Sequence, residues 1–251
     1  MELECLKFER KDNIATIALN RPEKRNALSP KVFQELDKCL DMASDDKGIA
    51  AVIITGGEKV FSAGMDIEEM MKFGPEDTYT FWNFGYNAVF EKIYSFRVPV
   101  IAAVSGYALA GGFDLAVSCD FRIASETAKF AQLEVNVHLS PGIDRLWRLV
   151  GLSRAKYLGL TCDMIDAQEA FRIGLVDKVV EVKDLSKEAH ALAAKFVSKP
   201  RESLERAKQS YNMVLDMSHK AAINWETLLL CSLFDSEERK QIMKRFLQKQ
   251  G

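Results

Sequence analysis

Histidine is scarce in this chain. His138, His190 and His219 are the only three in 251 residues, and they lie far apart. That pattern excludes a His-based metal centre as a working expectation. The five cysteines, Cys5, Cys39, Cys119, Cys162 and Cys231, are odd in number and form no CxxC. They read as buried thiols of a reducing compartment, neither a disulfide frame nor a zinc site. No apolar run approaches the ~20 residues of a membrane span. The opening MELECLKFERKDN is charged and lacks the apolar core of a signal peptide. The expectation is a cytoplasmic protein, with a processed organellar one as the alternative. Excess charge is missing too. With 34 basic and 36 acidic residues the formal net charge is −2, so nothing global points to nucleic acid or an anionic membrane. There is no exact internal repeat and no low-complexity segment.

What is present is a core. The chain is 48% hydrophobic and 28% charged, ample for one large domain or a domain with an appendage. Leu6–Arg10 and Ile14–Leu19 read as a hairpin turning at Asp12-Asn13. Ser29-Pro30 is an N-cap followed by proline at the first helical position. The helix to about Ala43 places Val32, Phe33, Leu36, Cys39 and Leu40 on one face, with charges on the other. Ile49–Thr55 and Val100–Val104 are buried strands, Lys129–Gln132 and Val179–Val182 shorter ones. Asp77–Phe96 reads as a long aromatic-rich helix. Shorter helices follow near Asp144–Val150, Ser153–Leu160 and Asp166–Ile173. From Leu185 onward everything is helical, with a break near Lys199-Pro200. Strands alternating with helices, then an all-helical tail, predict an α/β core over 1–184 and a helical appendage over 185–251.

The chemistry-bearing stretch is Ile101–Ser125, where a buried strand, the turn Ala110-Gly111-Gly112 and the helix Gly111–Ser118 follow one another. The first N–H groups of a helix lack partners and sit at its positive dipole end. A second unit of the same kind occurs at Ala63-Gly64-Met65-Asp66. Together the two turns could each offer one N–H to a single oxygen, as acyl chemistry requires when charge builds on a carbonyl. Asp114, in an apolar helix, and Glu134, just past a strand, are the candidate acids. A lone buried acid is costly unless paired, and Arg122 is the alternative partner for Asp114. For Glu134 the alternative is a plain surface acid. Asp144 reads as an N-cap, His138 as a structural loop residue, and Lys24 and Arg25 as either a solvated pair or a phosphate contact. The aromatics Tyr79–Phe90 read as core or wall, with an acyl-chain pocket as the sharper alternative.

Taken in order, LNRPEKRNALS (19–29), VFSAGMDIEEM (60–70), VSGYALAGGFDLAVSCDFRIAS (104–125), AKFAQLEV (128–135), Pro141-Gly142, IDAQEAFRIGLVDKVV (165–180) and FDSEERKQIMKRFLQK (234–249) resemble the crotonase superfamily, the enoyl-CoA hydratase/isomerase family. The resemblance implies a crotonase-like spiral of ββα units with a C-terminal helical trimerisation region, and a homotrimer or dimer of trimers. It implies an acyl-CoA thioester substrate whose enolate is held by the backbone N–H groups of Met65 and Gly111. Asp114 and Glu134 take the places of the two hydratase glutamates. Lys24, Arg25, Ala63, Asp66, Ile67, Phe234 and Lys249 match coenzyme A contacts. No separate cofactor is implied, since coenzyme A is part of the substrate.

The implied reaction is syn addition of water to a 2-enoyl-CoA, with a double-bond isomerase working through Glu134 as the alternative. A non-catalytic thioester- or RNA-binding member is a third reading. The first helix mixes Lys31 and Lys38 with Glu35, Asp37 and Asp41, and so lacks the basic face RNA binding needs. Several residues depart from the hydratase pattern. Asp114 is one methylene short of glutamate, setting its carboxylate about 1–1.5 Å further back. Aspartate there is shared with dienoyl-CoA isomerases, which carry a further aspartate where this chain has Gly142. His138 replaces a glycine, Ile143-Asp144-Arg145 replaces a small-residue run, and Gln241-Ile242 stands for Glu-Gly.

Overall fold

The computed structural model describes residues 3–142 and 144–248. Strands β1 (Leu6–Lys11) and β2 (Ile14–Leu19) form the expected hairpin. Its turn residues Asp12 and Asn13 both take positive φ, +49° and +63°, the twist a two-residue hairpin needs. Ser29 Oγ accepts from Val32 N–H and caps α1 (Pro30–Asp45), whose apolar face Val32, Phe33, Leu36, Cys39, Leu40 and Ala43 is buried. The outer face is not wholly solvated. Glu35 is buried, and its carboxylate accepts from the N–H groups of Glu4, Cys5 and Leu6.

The chain then makes three passes, each through two strands. Strand β3 (Ala51–Thr55) leads to β4 (Val60–Ser62) and the short α2 (Ile67–Met70). After α3 (Pro75–Phe81), a π-helical turn over Trp82–Asn87 and α4 (Ala88–Tyr94), strand β5 (Val100–Val104) leads to β6 (Tyr107–Leu109) and α5 (Gly111–Ser118). Strand β7 (Phe121–Ser125) leads to β8 (Lys129–Ala131) and the 3₁₀ turn Glu134–Val137. Next come α6 (Leu146–Val150), α7 (Leu152–Thr161), β9 (Ile165–Asp166), α8 (Ala167–Arg172) and β10 (Lys178–Val180).

The first strand of each pass joins one sheet, in the order β1-β2-β3-β5-β7-β10. The second strand joins another, in the order β4-β6-β8-β9. This repetition is the spiral of ββα units. The first sheet is parallel from β2 to β10 and covered on both faces, which is why its strands read as unbroken apolar runs. Val52, Ile54, Val100, Ala102 and Val104 face α1 and the larger core. Ala51, Ile53, Ile101 and Ala103 face the smaller core on the other side.

That second face also carries the helix that follows β10. Helix α9 (Leu185–Val197) buries Leu185, Ala189 and Ala193 against Ile53, Ile101 and Ile123, and so belongs to the first compact unit. The division falls between Ser198 and Lys199. The second unit comprises α10 (Arg201–Met213), α11 (His219–Phe234) and α12 (Glu237–Gln248). Among the described residues no helix is long and apolar enough to cross a membrane.

Candidate active site

Strands β4, β6 and β8 run parallel in neighbouring positions, Val60 beside Tyr107 and Tyr107 beside Lys129. Their C-terminal ends therefore emerge together. The first delivers Gly64 and Met65, the second Gly111 and Asp114, the third Gln132 and Glu134. One sheet edge thus brings together the predicted amide donors and both predicted acids.

The first turn is laced to the loop before α1. Ala63 N–H donates to Arg25 O (3.0 Å), Leu28 N–H to Gly64 O (2.8 Å) and Asp66 N–H to Leu28 O (2.9 Å). Gly64 N–H donates to Ser62 Oγ (3.2 Å). The Met65 N–H is not used by this lacing. Gly64 has φ +97°, and a Cβ there would stand 2.9 Å from Leu109 O. In the second turn Ala110 takes φ +47° and ψ −124°, a conformation costly for any residue with a side chain. It is held by Ala110 N–H to Ala131 O (2.9 Å) and Asp114 N–H to Ala110 O (3.0 Å). Gly111 opens α5, so its N–H has no intrahelical carbonyl to reach. The two turns touch: a Cβ on Gly64 would lie 3.4 Å from Gly111 N, and one on Gly111 3.4 Å from Met65 Sδ.

Asp114 is buried on the first turn of α5. The alternative partner Arg122 does not meet it; that guanidinium donates to Leu175 O (2.6 Å) and Cys119 O (2.7 Å). Asp114 Oδ2 instead accepts a very short hydrogen bond from Tyr86 Oη, and Oδ1 a long one from Gln132 Nε2 (3.4 Å). Gln132 also donates to Gly142 O (2.8 Å). Burial and the nearby Glu134 charge push the Asp114 carboxyl up to about 7, against the opposing pull of Tyr86, Gln132 and Arg145. Burial pushes the Glu134 carboxyl up as well, opposed by backbone N–H groups of Glu134 and Leu133. Glu134 Oε2 is shielded from solvent and has no hydrogen-bond partner among the described residues. Two carboxyls both pushed upward by burial can divide acid and base work.

Gly142 settles the dienoyl-isomerase comparison in steric terms. A Cβ at that position would lie 2.7 Å from Asp114 Oδ2, inside the carboxylate's own space. A side chain at that position requires the Asp114 carboxylate to move from where it stands here. His138 takes φ +61°, the left-handed region, which accounts for glycine at the matching place in the resembling family. Asp144, expected as an N-cap, does not cap α6. Arg145 precedes that helix, and Asp144 reaches Arg148 at 3.4 Å.

Of the expected coenzyme A contacts, Lys24, Arg25, Ala63, Asp66 and Ile67 lie on or beside the laced loops. Lys24 pairs with Glu68 (2.5 Å), and Ile67 is exposed. Asp66 is buried with its carboxylate on Arg21 (3.0 Å), so its side chain is spent on the loop itself. Phe234 ends α11 in the second unit, with the Arg239 guanidinium 3.8 Å from its ring centroid. Lys249 lies outside the described residues. Among those residues no group of three or more His, Cys, Asp or Glu is placed to hold a metal ion.

Sequence reasoning missed Tyr86, Gln132 and Arg145. Tyr86 sits in the π-helical turn, where the extra residue shifts the helical phase, so its direction cannot be counted from the aromatic spacing. A buried Gln two residues before Glu134 was a usable signal. Strands β4, β6, β7 and β9 were also unread, and the first two are only three residues long.

Three comparisons place this geometry. A family model described as enoyl-CoA hydratase/isomerase matches residues 9–251. The chain is 40% identical to a short-chain-enoyl-CoA hydratase of Clostridium acetobutylicum, covering 99% of this chain and 97% of the relative. It is 39% identical to a crotonyl-CoA hydratase of Syntrophomonas wolfei, over 99% and 97% respectively. Among solved structures, an enoyl-CoA hydratase from Bacillus anthracis superposes with a TM-score of 0.93 at 31% identity, over 98% of this chain and 97% of that one. Motifs, spiral and whole-chain similarity agree, and the chain belongs to the enoyl-CoA hydratase/isomerase family of the crotonase superfamily.

Proposed function

We propose that this protein is an enoyl-CoA hydratase, a lyase that adds water to the double bond of a 2-enoyl-CoA. The observation that carries the reading is that the turns bearing Met65 and Gly111 follow neighbouring parallel strands, with two raised carboxyls at the same strand ends. The thioester oxygen lies between the N–H groups of Met65 and Gly111. As water adds at C3, electrons move through the double bond onto that oxygen, and the paired donors with the α5 N-terminus stabilise the enolate. Asp114 and Glu134 manage the protons. One carboxyl accepts a proton from the attacking water while the other gives one to C2, so the pair ends with the protons it began with. The shared proton belongs to the pair. The unpartnered Oε2 leaves Glu134 with an oxygen that gives up no hydrogen bond to take a proton.

The coenzyme A moiety lies along the laced loops at Lys24, Arg25, Ala63, Asp66 and Ile67. Coenzyme A is part of the substrate, and no other cofactor enters the chemistry. The helices of the second unit serve self-association as a homotrimer or a dimer of trimers, supported by exposed Leu228, Leu230 and Phe234 on α11. Against RNA binding stands α1, whose Asp37 and Asp41 pair with Lys92 and whose Lys31 pairs with Glu4.

Incubation with crotonyl-CoA and longer 2-enoyl-CoAs tests the reading. The expected result is loss of the conjugated-thioester absorbance with a product one water heavier. A product of unchanged mass means isomerisation, and no turnover at any chain length overturns the enzymatic reading. Sedimentation of the purified protein reads the oligomeric state.

A further inference from the structure

Tyr86 meets Asp114 and lies beside Gly111. Its ring packs among Phe33, Trp82 and Phe90, with centroids 5.6, 5.5 and 4.5 Å away. A phenylalanine would fill that space equally well, so packing alone does not explain the hydroxyl. A buried hydroxyl needs a partner, and this one is spent on Asp114, itself an acid buried at a cost. On its other side the ring lies beside the first residue of α5: a Cβ on Gly111 would stand 3.5 Å from Tyr86 Cε2. The residue is presented by a π-helical turn within an otherwise α-helical stretch, a costlier geometry that recurs at functional sites.

We infer that Tyr86 is a positioning residue, its hydroxyl holding the Asp114 carboxylate and its ring lying beside Gly111 at the start of α5, so that the acid keeps one place on that helix. This rests on the hydratase reading for its catalytic consequence but not for its physical content. The shorter aspartate gives the reason such a clamp matters. With one methylene fewer than glutamate, Asp114 cannot follow a mobile substrate, and catalysis is sensitive to displacements near 1 Å. Gly142 leaves free the space in which the carboxylate sits, since a Cβ there would stand 2.7 Å from Asp114 Oδ2.

The charged and titratable groups acting on Asp114 are Glu134 from the 3₁₀ turn, Tyr86 from the π turn and Arg145 from the segment before α6. Tyr86 keeps its own proton, because burial and the Asp114 charge hold its hydroxyl well above the ordinary tyrosine range. It is therefore the donor at every working pH. A donor favours the ionised acid, so its removal must move the Asp114 titration upward.

The test is direct. In protein labelled with ¹³C at the aspartate carboxyls, the Asp114 signal is assigned by its loss in Asp114→Asn. The Asp114 midpoint should rise by about one pH unit in Tyr86→Phe. It should fall in wild-type protein carrying 3-fluorotyrosine, a stronger donor of nearly the same shape. In turnover of a 2-enoyl-CoA, Tyr86→Phe should lower kcat about tenfold with KM changed less than threefold. The limb of the pH profile that carries Asp114 should move up with the NMR midpoint. An unmoved midpoint in both proteins overturns the inference, whatever happens to activity. An inactive wild-type enzyme fails the hydratase reading instead and leaves the NMR result standing.

Discussion

Gly64 and Ala110 stand against each other with positive φ, +97° and +47°, each immediately before one of the two outward amides. A Cβ on Gly64 would come within 3.0 Å of Ala110 Cβ. A positive φ thus recurs at the turns that follow two neighbouring parallel strands, β4 and β6. Strain of this kind costs about 1–3 kcal/mol per residue and persists where surrounding contacts over-determine it.

Gly64→Ala should therefore cost both stability and activity. The substitution meets Leu109 O at 2.9 Å as well as Ala110. The expected outcome is about 1–3 kcal/mol less stability and a loss of roughly 10²-fold in kcat as the Met65 amide swings away. Ala110→Gly, which relieves the strained φ, should keep activity within about threefold and leave the melting temperature equal or higher. Urea melts and steady-state turnover of crotonyl-CoA read both. A fully active Gly64→Ala protein would remove Met65 from the site.

Gly142→Ala separates activity from stability. Gly142 is exposed, so the added methyl costs the fold little. It would lie 2.7 Å from an Asp114 oxygen already held by Tyr86. The carboxylate must move off that hydroxyl to make room. The expected result is at least about tenfold lower kcat/KM with the melting temperature within about two degrees of wild type. An unchanged kcat/KM would show that Asp114 need not stay where Tyr86 holds it.

Much of this was legible before any coordinates. The hairpin at Asp12-Asn13, the Ser29 cap and the buried strand Val100–Val104 follow from turn chemistry, capping and period. Asp114 and Glu134 stood out because an acid in an apolar helix and an acid at a strand end each need a reason. What stayed hidden has physical causes. Strands β4 and β6 are three residues long, too short for a periodic signal, yet they aim the site. The π turn moves Tyr86 out of α-helical phase. Helix α9 looked like the start of the helical tail because its small face, Ala189 and Ala193, reads as weakly amphipathic until the second face of the sheet is known.

Glu35 was also hidden, since it lies among charges on the polar side of α1. Its carboxylate accepts from three consecutive N–H groups, Glu4 (3.1 Å), Cys5 (2.9 Å) and Leu6 (3.1 Å), in a nearly solvent-free site. Glu35→Ala leaves those donors unpaired, and buried donors cost about 1–3 kcal/mol when orphaned. The expected outcome is a loss of about 2–4 kcal/mol in urea unfolding, with kcat of the folded fraction unaltered. A loss under about 0.5 kcal/mol, the level of ordinary surface substitutions, would mean that solvent replaces the carboxylate.

Asp114 should trade stability for function in a pH-dependent way. Its folded carboxyl titrates at about 7, above the 3.8 of a free aspartate. The native state therefore binds this proton more tightly than the unfolded chain. Its favourable contribution is complete below the unfolded value and is lost as pH rises through the folded one. Above that range the ionised, buried carboxylate costs the fold on the order of 4 kcal/mol. Asp114→Asn removes the titration while nearly keeping the shape. Its melting temperature should exceed that of wild type by several degrees at pH 8, and the difference should shrink toward zero near pH 4. Hydration of crotonyl-CoA by the same variant should fall about 10²-fold or more. A stability difference independent of pH would show that Asp114 reaches the folded state without holding its proton, and would take it out of the acid–base pair.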